Sequence, residues 1–323
     1  MGPQAIRRVR ADERRGPAVA VRAVSAAGSV GVHVPVLVDE VVFLLRAARE
    51  GWLIDGTVGM GGHAEALLAA TPPGVSLLGL DADPDALASA AARLARFGER
   101  VQLARANFRE LEAVARARGV ARARGVLLDL GVSSPQLERS GRGFSFQQVD
   151  EPLDMRLDPG AGRTAEALLN GLSEDELGRI LREYGDEPHA RRIARAIVRG
   201  RPLRTTGDLV AAVKRAVPRR AWPRRLHVAT RTFQAIRMAV NDEPGALRAA
   251  LPAAAALLDP GARLAVISFH SGEDRIVKLT FRSLTADGHY AVVEPSPLLP
   301  GDDEVRANPR ARSAKLRVLE RES

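Results

Sequence analysis

The sequence predicts an α/β protein in which a doubly wound parallel sheet is interrupted by an inserted, mostly helical domain. Three observations carry this reading. Between Trp52 and Asp129 short apolar runs alternate with longer helical patterns; after Asp129 about ninety residues pass with helical but no clear strand patterns; the alternation then resumes towards Ser323. Residues 1 to about 30, rich in Arg, Ala and Gly without apolar periodicity, read as a disordered leader. The core is expected over 31–138 and 232–323, with the insertion over 139–231.

The first strands are expected at Trp52 to Ile54, Val75 to Leu80, Val101 to Leu103 and Val126 to Leu128. Between them lie helices from His63 to Ala70, from Pro84 to Phe97 with proline at the helix start, and from Arg109 to Arg118 ending at Gly119. Inside the insertion, Ser173 to Glu183 and His189 to Arg199 have helical patterns. Helices near Thr232 to Val240 and Glu243 to Leu258 then lead through Asp259-Pro260-Gly261 into a strand at Leu264 to Ser268. Tyr290 to Val293 and Leu316 to Leu319 suit an antiparallel pair at the sheet edge.

Composition narrows the chemistry. The chain of 323 residues is 46% hydrophobic, ample for a packed core, and has no cysteine. Disulfides, thiolate zinc sites and cysteine nucleophiles are thereby excluded, and a reducing compartment fits. No run approaches the roughly 20 apolar residues of a membrane span, so a cytoplasmic protein without membrane contact is expected. Histidines and carboxylates show no metal-ligand spacing, and no metal is expected.

The net charge is +9, and three of the 48 basic residues are lysine. Nucleotide bias accounts for arginine in place of lysine; it does not account for an excess of bases over acids. That excess is local: His189 to Arg231 holds thirteen basic residues against one acid, Asp208. An arginine-rich solvated face is the plain reading. A nucleic-acid footprint fits better, with Arg191, Arg192, Arg195, Arg219, Arg220, Arg224, Arg225 and Arg231 as RNA-binding candidates. Trp222, between Arg220 and Arg224, either stacks on a base or anchors the loop.

In doubly wound sheets the ligand lies beyond the carboxyl ends of the strands. The first expected strand runs into Asp55 and then Gly56-Thr57-Val58-Gly59-Met60-Gly61-Gly62-His63, a glycine-rich loop opening a helix. Such a loop alone suits a dinucleotide equally. Asp55, however, stands where a pyrophosphate would approach, with no lysine or arginine in the loop to offset the repulsion. S-adenosylmethionine carries a sulfonium and an ammonium instead. Opposite charges about 4 Å apart gain roughly 1 kcal/mol in water and several times that at an effective dielectric of about 20. Asp81, ending the second strand, suits ribose hydroxyls, whereas Asp83, before Pro84, suits a helix N-cap. Phe108, after the third strand, either stacks on adenine or fills the core, and His63 either faces the ligand or only starts its helix.

The fourth strand ends in Asp129-Leu130-Gly131-Val132-Ser133-Ser134-Pro135-Gln136, and here the chain resembles the RsmH (MraW) family of bacterial ribosomal RNA cytosine-N4 methyltransferases. The resemblance is carried by His33 to Leu37, Asp55-Gly56-Thr57 with Gly59 and Gly61-Gly62-His63, Asp129 to Leu137, and Arg142 to Phe146. It continues through Pro152 to Arg156, Arg191 to Ile197, Ala229 to Ala235, Ser268 to Ser271 with Glu273 to Arg275, and Asn308 to Ser313. It implies a Rossmann-like methyltransferase core and S-adenosyl-L-methionine as cofactor, held by Gly61, Gly62, His63, Asp81, Phe108, Asp129 and Gln136. Asp55 is added on electrostatic grounds. The implied substrate is a cytidine in the decoding region of 16S rRNA, within the small ribosomal subunit. Val58, Met60 and Gly272 depart from the family pattern, where aromatic, basic and leucine residues are frequent.

Methyl transfer needs in-line approach of the cytosine N4 lone pair to the methyl carbon. That lone pair is conjugated into the ring, so an acceptor for its N–H bonds helps. Asp129 or a neighbouring backbone carbonyl is the candidate: aspartate, with a reference pKa of about 3.9, is a weak base, but the cation formed on attack is acidic. Asp129 equally suits cofactor binding alone. His270, after the last core strand, either contacts the target base or caps the strand end. Ser133 and Ser134 lack a histidine base beside them and suit a turn. His33 and His227 have no assigned role. The alternatives are a DNA amino-methyltransferase, a nicotinamide-dependent oxidoreductase, which Asp55 disfavours, and a non-catalytic ribosome-assembly factor that binds RNA.

Overall fold

The computed structural model describes residues 6–8, 35–46, 48–131, 141–224 and 226–322. Gln136, Ser133, Ser134, Arg225, His33 and most of the expected leader lie outside the described residues. The chain divides into two compact units, residues 1–131 with 246–323, and residues 132–245.

The first unit is built on one eight-stranded sheet in the order β1-β7-β8-β6-β5-β2-β3-β4. The strands are β1 (Ile6–Arg8), β2 (Gly51–Asp55), β3 (Val75–Asp81), β4 (Val101–Arg105), β5 (Ala123–Asp129), β6 (Leu258–Ser268), β7 (Tyr290–Glu294) and β8 (Lys315–Arg321). From β4 to β6 every pairing is parallel; β8 runs antiparallel to both β6 and β7. Consecutive apolar residues fill the central strands because both sheet faces are covered. Leu78, Leu80, Val126, Leu128, Leu264 and Val266 bury on one face, while Leu77, Leu127, Ala265 and Ile267 bury on the other.

Helices α1 (Val38–Leu45), α2 (Gly62–Ala70) and α3 (Pro84–Leu94) cover the second of these faces with Val41, Leu44, Leu67, Leu68 and Leu94. On the first face lie α4 (Leu111–Ala117) and, later in the chain, α10 (Glu243–Leu257) and α11 (Ser271–Leu284), burying Leu111, Leu251, Val277 and Phe281. A short helix, α12 (Asp302–Ala307), precedes β8.

Several expectations are corrected. Ile6–Arg8, placed in the disordered leader, forms a strand parallel to β7, with Ile6 opposite Val292. An open sheet edge offers backbone donors and acceptors to any extended segment, a pairing that apolar periodicity does not signal. The β7–β8 pair is antiparallel as expected, but β8 inserts between β6 and β7 and is not at the edge. Helix α3 ends at Leu94 and continues as a 3₁₀ segment, Ala95–Arg100, bent at Gly98 with φ 55°. Strand β6 starts at Leu258, and Asp259-Pro260-Gly261 loops out between two registers, Ala123 opposite Leu258 and Gly125 opposite Arg263.

Among its described residues the second unit packs five helices around its own apolar centre: α5 (Ala165–Gly171), α6 (Glu174–Gly185), α7 (Ala190–Arg199), α8 (Thr206–Ala216) and α9 (Thr230–Val240). Capping boxes start α6, from Ser173 and Glu176, and α8, from Thr205 and Asp208. Helix α9, read from sequence as part of the resumed core, belongs to this unit. Phe233, Ala235 and Ile236 bury in its centre, and Gly185 permits close approach to α6, since a Cβ there would lie 2.7 Å from the Arg231 carbonyl oxygen. Among the described residues no helix is long and apolar enough to cross a membrane.

Candidate functional site

The chain winds outward from β2 through β3 to β4, then returns to place β5 and β6 on the other side of β2. The reversal between β2 and β5 opens a crevice at their carboxyl ends, where α/β sheets bind ligands. Asp81, Asp55 and Asp129 end the three neighbouring strands β3, β2 and β5.

The loop after β2 is held by backbone geometry. The Gly56 N–H donates to the Leu127 carbonyl at 2.9 Å and the Val58 N–H to that of Leu80 at 2.8 Å. Gly59 and Gly61 have φ of 51° and 80°, in the left-handed region that glycine tolerates. A Cβ on Gly62 would lie 2.5 Å from the Pro35 ring, so the opening of α2 has no room for a side chain. Asp81 ties the loop down through Oδ2, which accepts from the Gly59 N–H, while its Oδ1 accepts from the Asp83 N–H just beyond its own strand, each at 2.9 Å. Asp83 caps α3 by accepting from the Asp85 N–H, as its position before Pro84 implied.

Asp55 is almost wholly buried, at 1% exposure, and accepts the Thr57 N–H at 3.1 Å. Burial pushes its carboxyl up to about 7; the nearby His63 and the Thr57 N–H oppose the rise. Burial also raises Asp81, to about 6, against the stabilising Asp83 and Gly59 N–H groups. The Asp129 N–H donates to Thr57 Oγ1 at 2.6 Å, joining the ends of β5 and β2. Sequence reasoning assigned Thr57 no role, since its partner lies 72 residues away and no spacing signals it.

His63 sits at the start of α2 with its Nε2 3.4 Å from Asp129 Oδ2. Burial disfavours its charged form, but Asp129, Asp55 and Glu304 outweigh burial and raise its pKa. Neither ring nitrogen completes a hydrogen bond, nor does the buried Asp129 Oδ1. Buried polar atoms left unpaired are costly, which suits a site whose ligand supplies the missing partners. Three carboxylates against one imidazole suit a ligand carrying positive charge. Phe108 opens a 3₁₀ turn, packs on the core, and closes behind Gly56, whose Cβ would lie 3.6 Å from that of Phe108.

A pH dependence follows. A carboxyl whose pKa is higher folded than unfolded contributes stability that is fully present below about 3.8 and is lost as pH rises through the folded value. For the ligand-free protein, Asp55 therefore destabilises the fold progressively up to about pH 7. Denaturant midpoints across pH 4 to 8 should show Asp55→Asn gaining on the parent as pH rises. Parallel profiles would remove the buried Asp55 charge from the account.

His270 caps α11: its Nδ1 accepts from the Glu273 N–H at 3.3 Å, and its Nε2 lies 3.0 Å from Glu273 Oε1. The sequence reading offered a cap on the strand end; these contacts cap the start of α11 instead. A Cβ on Gly272 would lie 3.2 Å from His270 Nδ1, so the leucine usual there would crowd this ring.

In the second unit, Arg191, Arg192 and Arg195 lie exposed on α7, whose opposite face buries Ile193, Ala194 and Ile197. Arg195 pairs with Glu174 at 3.2 Å. Arg219, Arg220 and Arg224 are exposed in the segment joining α8 to α9. Arg231, half-buried, donates to the Asp186 carbonyl. The lone acid of the stretch is occupied: Asp208 accepts the Arg204 and Thr205 N–H groups, which lower its pKa. Trp222 is an anchor, its Nε1 donating to the Val217 carbonyl at 3.0 Å, with the Arg219 guanidinium 5.7 Å from its ring centre. Among the described residues no group of three or more histidine or acidic side chains could hold a metal.

The model of the MraW methylase family matches residues 31–322. A ribosomal RNA small subunit methyltransferase H of Heliobacterium modesticaldum is 48% identical over 308 residues, covering 90% of this chain and 98% of that protein. The protein of the same description from Anaeromyxobacter sp. (strain Fw109-5) is 50% identical, with 90% and 98% covered. That of Synechococcus elongatus is 48% identical over 289 residues, with 90% and 94% covered.

Proposed function

Because the chain belongs to the MraW methylase family, we propose that it transfers a methyl group from S-adenosylmethionine to the exocyclic N4 amine of a cytidine in the decoding region of 16S rRNA, within the small ribosomal subunit. The observation that carries this reading is the convergence of Asp55, Asp81 and Asp129 on three neighbouring strand ends around a glycine loop. Carboxylates in this crevice oppose a pyrophosphate and attract a sulfonium and an ammonium. The unpaired His63 and Asp129 atoms fit the same group. Gly61, Gly62, His63, Asp81 and Phe108 would hold the cofactor, with Asp55 acting through its charge.

When bound, the cofactor supplies an activated methyl group. The protein's residues supply orientation and a proton acceptor. Asp129 accepts an N4–H bond of the cytosine, which draws the nitrogen lone pair out of conjugation, and takes the proton released after attack. Thr57, gripping the Asp129 backbone, fixes where that carboxylate stands. The second unit, with exposed arginines on α7 and after α8, is the substrate-recognition domain.

The direct test incubates the protein and labelled S-adenosylmethionine with small subunits lacking the modification, with free 16S rRNA, and with DNA. The expected result is label in N4-methylcytidine from subunits. Label in DNA would replace the substrate assignment, and cofactor binding without label on any substrate would favour an assembly factor.

A further inference from the structure

The second unit has a surface hollow between the start of α7 and the segment joining α8 to α9, outside every residue given a role above except Arg231. Val217, Pro223, Leu226 and Val228 make its wall apolar, and Leu226 is 53% exposed. The His227 ring forms part of the same wall. It ends an aromatic series that starts in the unit's centre: buried Phe233 meets Phe146 edge-on at 5.8 Å, and Phe146 stacks on His227 at 4.5 Å with planes 13° apart.

The imidazole is set for stacking. Its Nδ1 accepts the Ala229 N–H at 3.3 Å, which fixes the ring, and burial followed by the charge of Lys214 lowers its pKa. A neutral, flat, rigidly backed ring at an apolar opening is the kind of surface on which unpaired bases stack. The surroundings are cationic: Arg220 and Arg224 stand exposed beside the hollow, and Arg231 lines it. Among the described residues the lining holds one acid, the buried Glu187, whose Oε1 accepts the His189 N–H at 3.0 Å, and the exposed Asp186 adjoins it, its carbonyl bonded to Arg231. A carboxylate there repels phosphate but accepts from a base N–H.

We infer that one unpaired base of the RNA substrate stacks on His227 across the mouth of this hollow, its N–H edge towards Glu187 and the flanking phosphates on Arg220, Arg224 and Arg231. The inference rests on the ribosomal RNA reading.

The test compares the full-length protein's affinity for a hexacytidylate RNA and for an abasic hexamer of equal charge, at one salt concentration. The parent should prefer the base-bearing strand, and His227→Ala should reduce that preference about tenfold. His227→Phe should restore it. Leu226→Glu, at an exposed position, should weaken binding of the base-bearing strand without unfolding the unit. Methyl transfer to small subunits by the parent, together with an unchanged preference in His227→Ala, overturns the base contact alone. A parent that neither binds RNA nor labels subunits overturns the functional reading beneath it, and tighter binding of a hexadeoxycytidylate, titrated alongside, overturns the choice of RNA.

Discussion

Asp129→Asn is expected to lower kcat at saturating cofactor about 10²-fold or more, the usual range for removing a general base. Asparagine keeps the side-chain shape, and the backbone bond from Asp129 to Thr57 Oγ1 is untouched. What is lost is the charge that accepts the amine proton and that faces His63 Nε2 at 3.4 Å. The His63 imidazole pKa, followed by nuclear magnetic resonance, should fall in the same variant because its main stabilising partner is gone. A rise in the cofactor Kd with kcat preserved would make Asp129 a binding residue only. Unchanged kcat and Kd would remove it from the site.

Joint replacement of Arg219, Arg220 and Arg224 by glutamine is expected to weaken binding of single-stranded RNA and to flatten its salt dependence. Each neutralised phosphate contributes roughly 0.7 to the slope of log affinity against log salt, so three lost contacts reduce the slope by about 2. Relative to a 1 M reference this is roughly a fiftyfold loss at 0.15 M salt. The three side chains are exposed and the unit's centre does not depend on their charge, so thermal stability should hold. Equal slopes for parent and variant would make this stretch a solvated face. Because counterion release is indifferent to base identity, the slope separates these phosphate contacts from the stacking assigned to His227.

Much of the fold was legible because its signals are local. The apolar runs of β2, β3, β4 and β5 are buried on both sheet faces and need no partner to be recognised. Asp83 before Pro84 announced its own cap, and that assignment left Asp81 for the ligand's ribose; that Asp81 also holds the Gly59 N–H was not legible. Ile6–Arg8 was not legible, since a three-residue edge strand has no period and exists only because β7 presents an open edge. The same limit hid the place of β8: its antiparallel partner β7 was foreseen, but not its insertion beside β6.

The candidate site divides in the same way. Residue type and position relative to a strand end were sufficient to single out Asp55, the loop glycines and Asp81, because backbone conformation and charge are properties of short segments; Asp129 came with the family resemblance. Tertiary structure alone decided that Asp55 is buried enough to be pushed up to about 7, that Thr57 grips Asp129 across 72 residues, and that His63 faces Asp129 Oδ2 with Nδ1 and Asp129 Oδ1 left without hydrogen bonds. It also turned Trp222 inward as an anchor and set His227 on Phe146 at the mouth of a hollow. Desolvation, ring stacking and hydrogen bonds between distant segments depend on which surfaces meet, and that is settled only when the whole chain has packed.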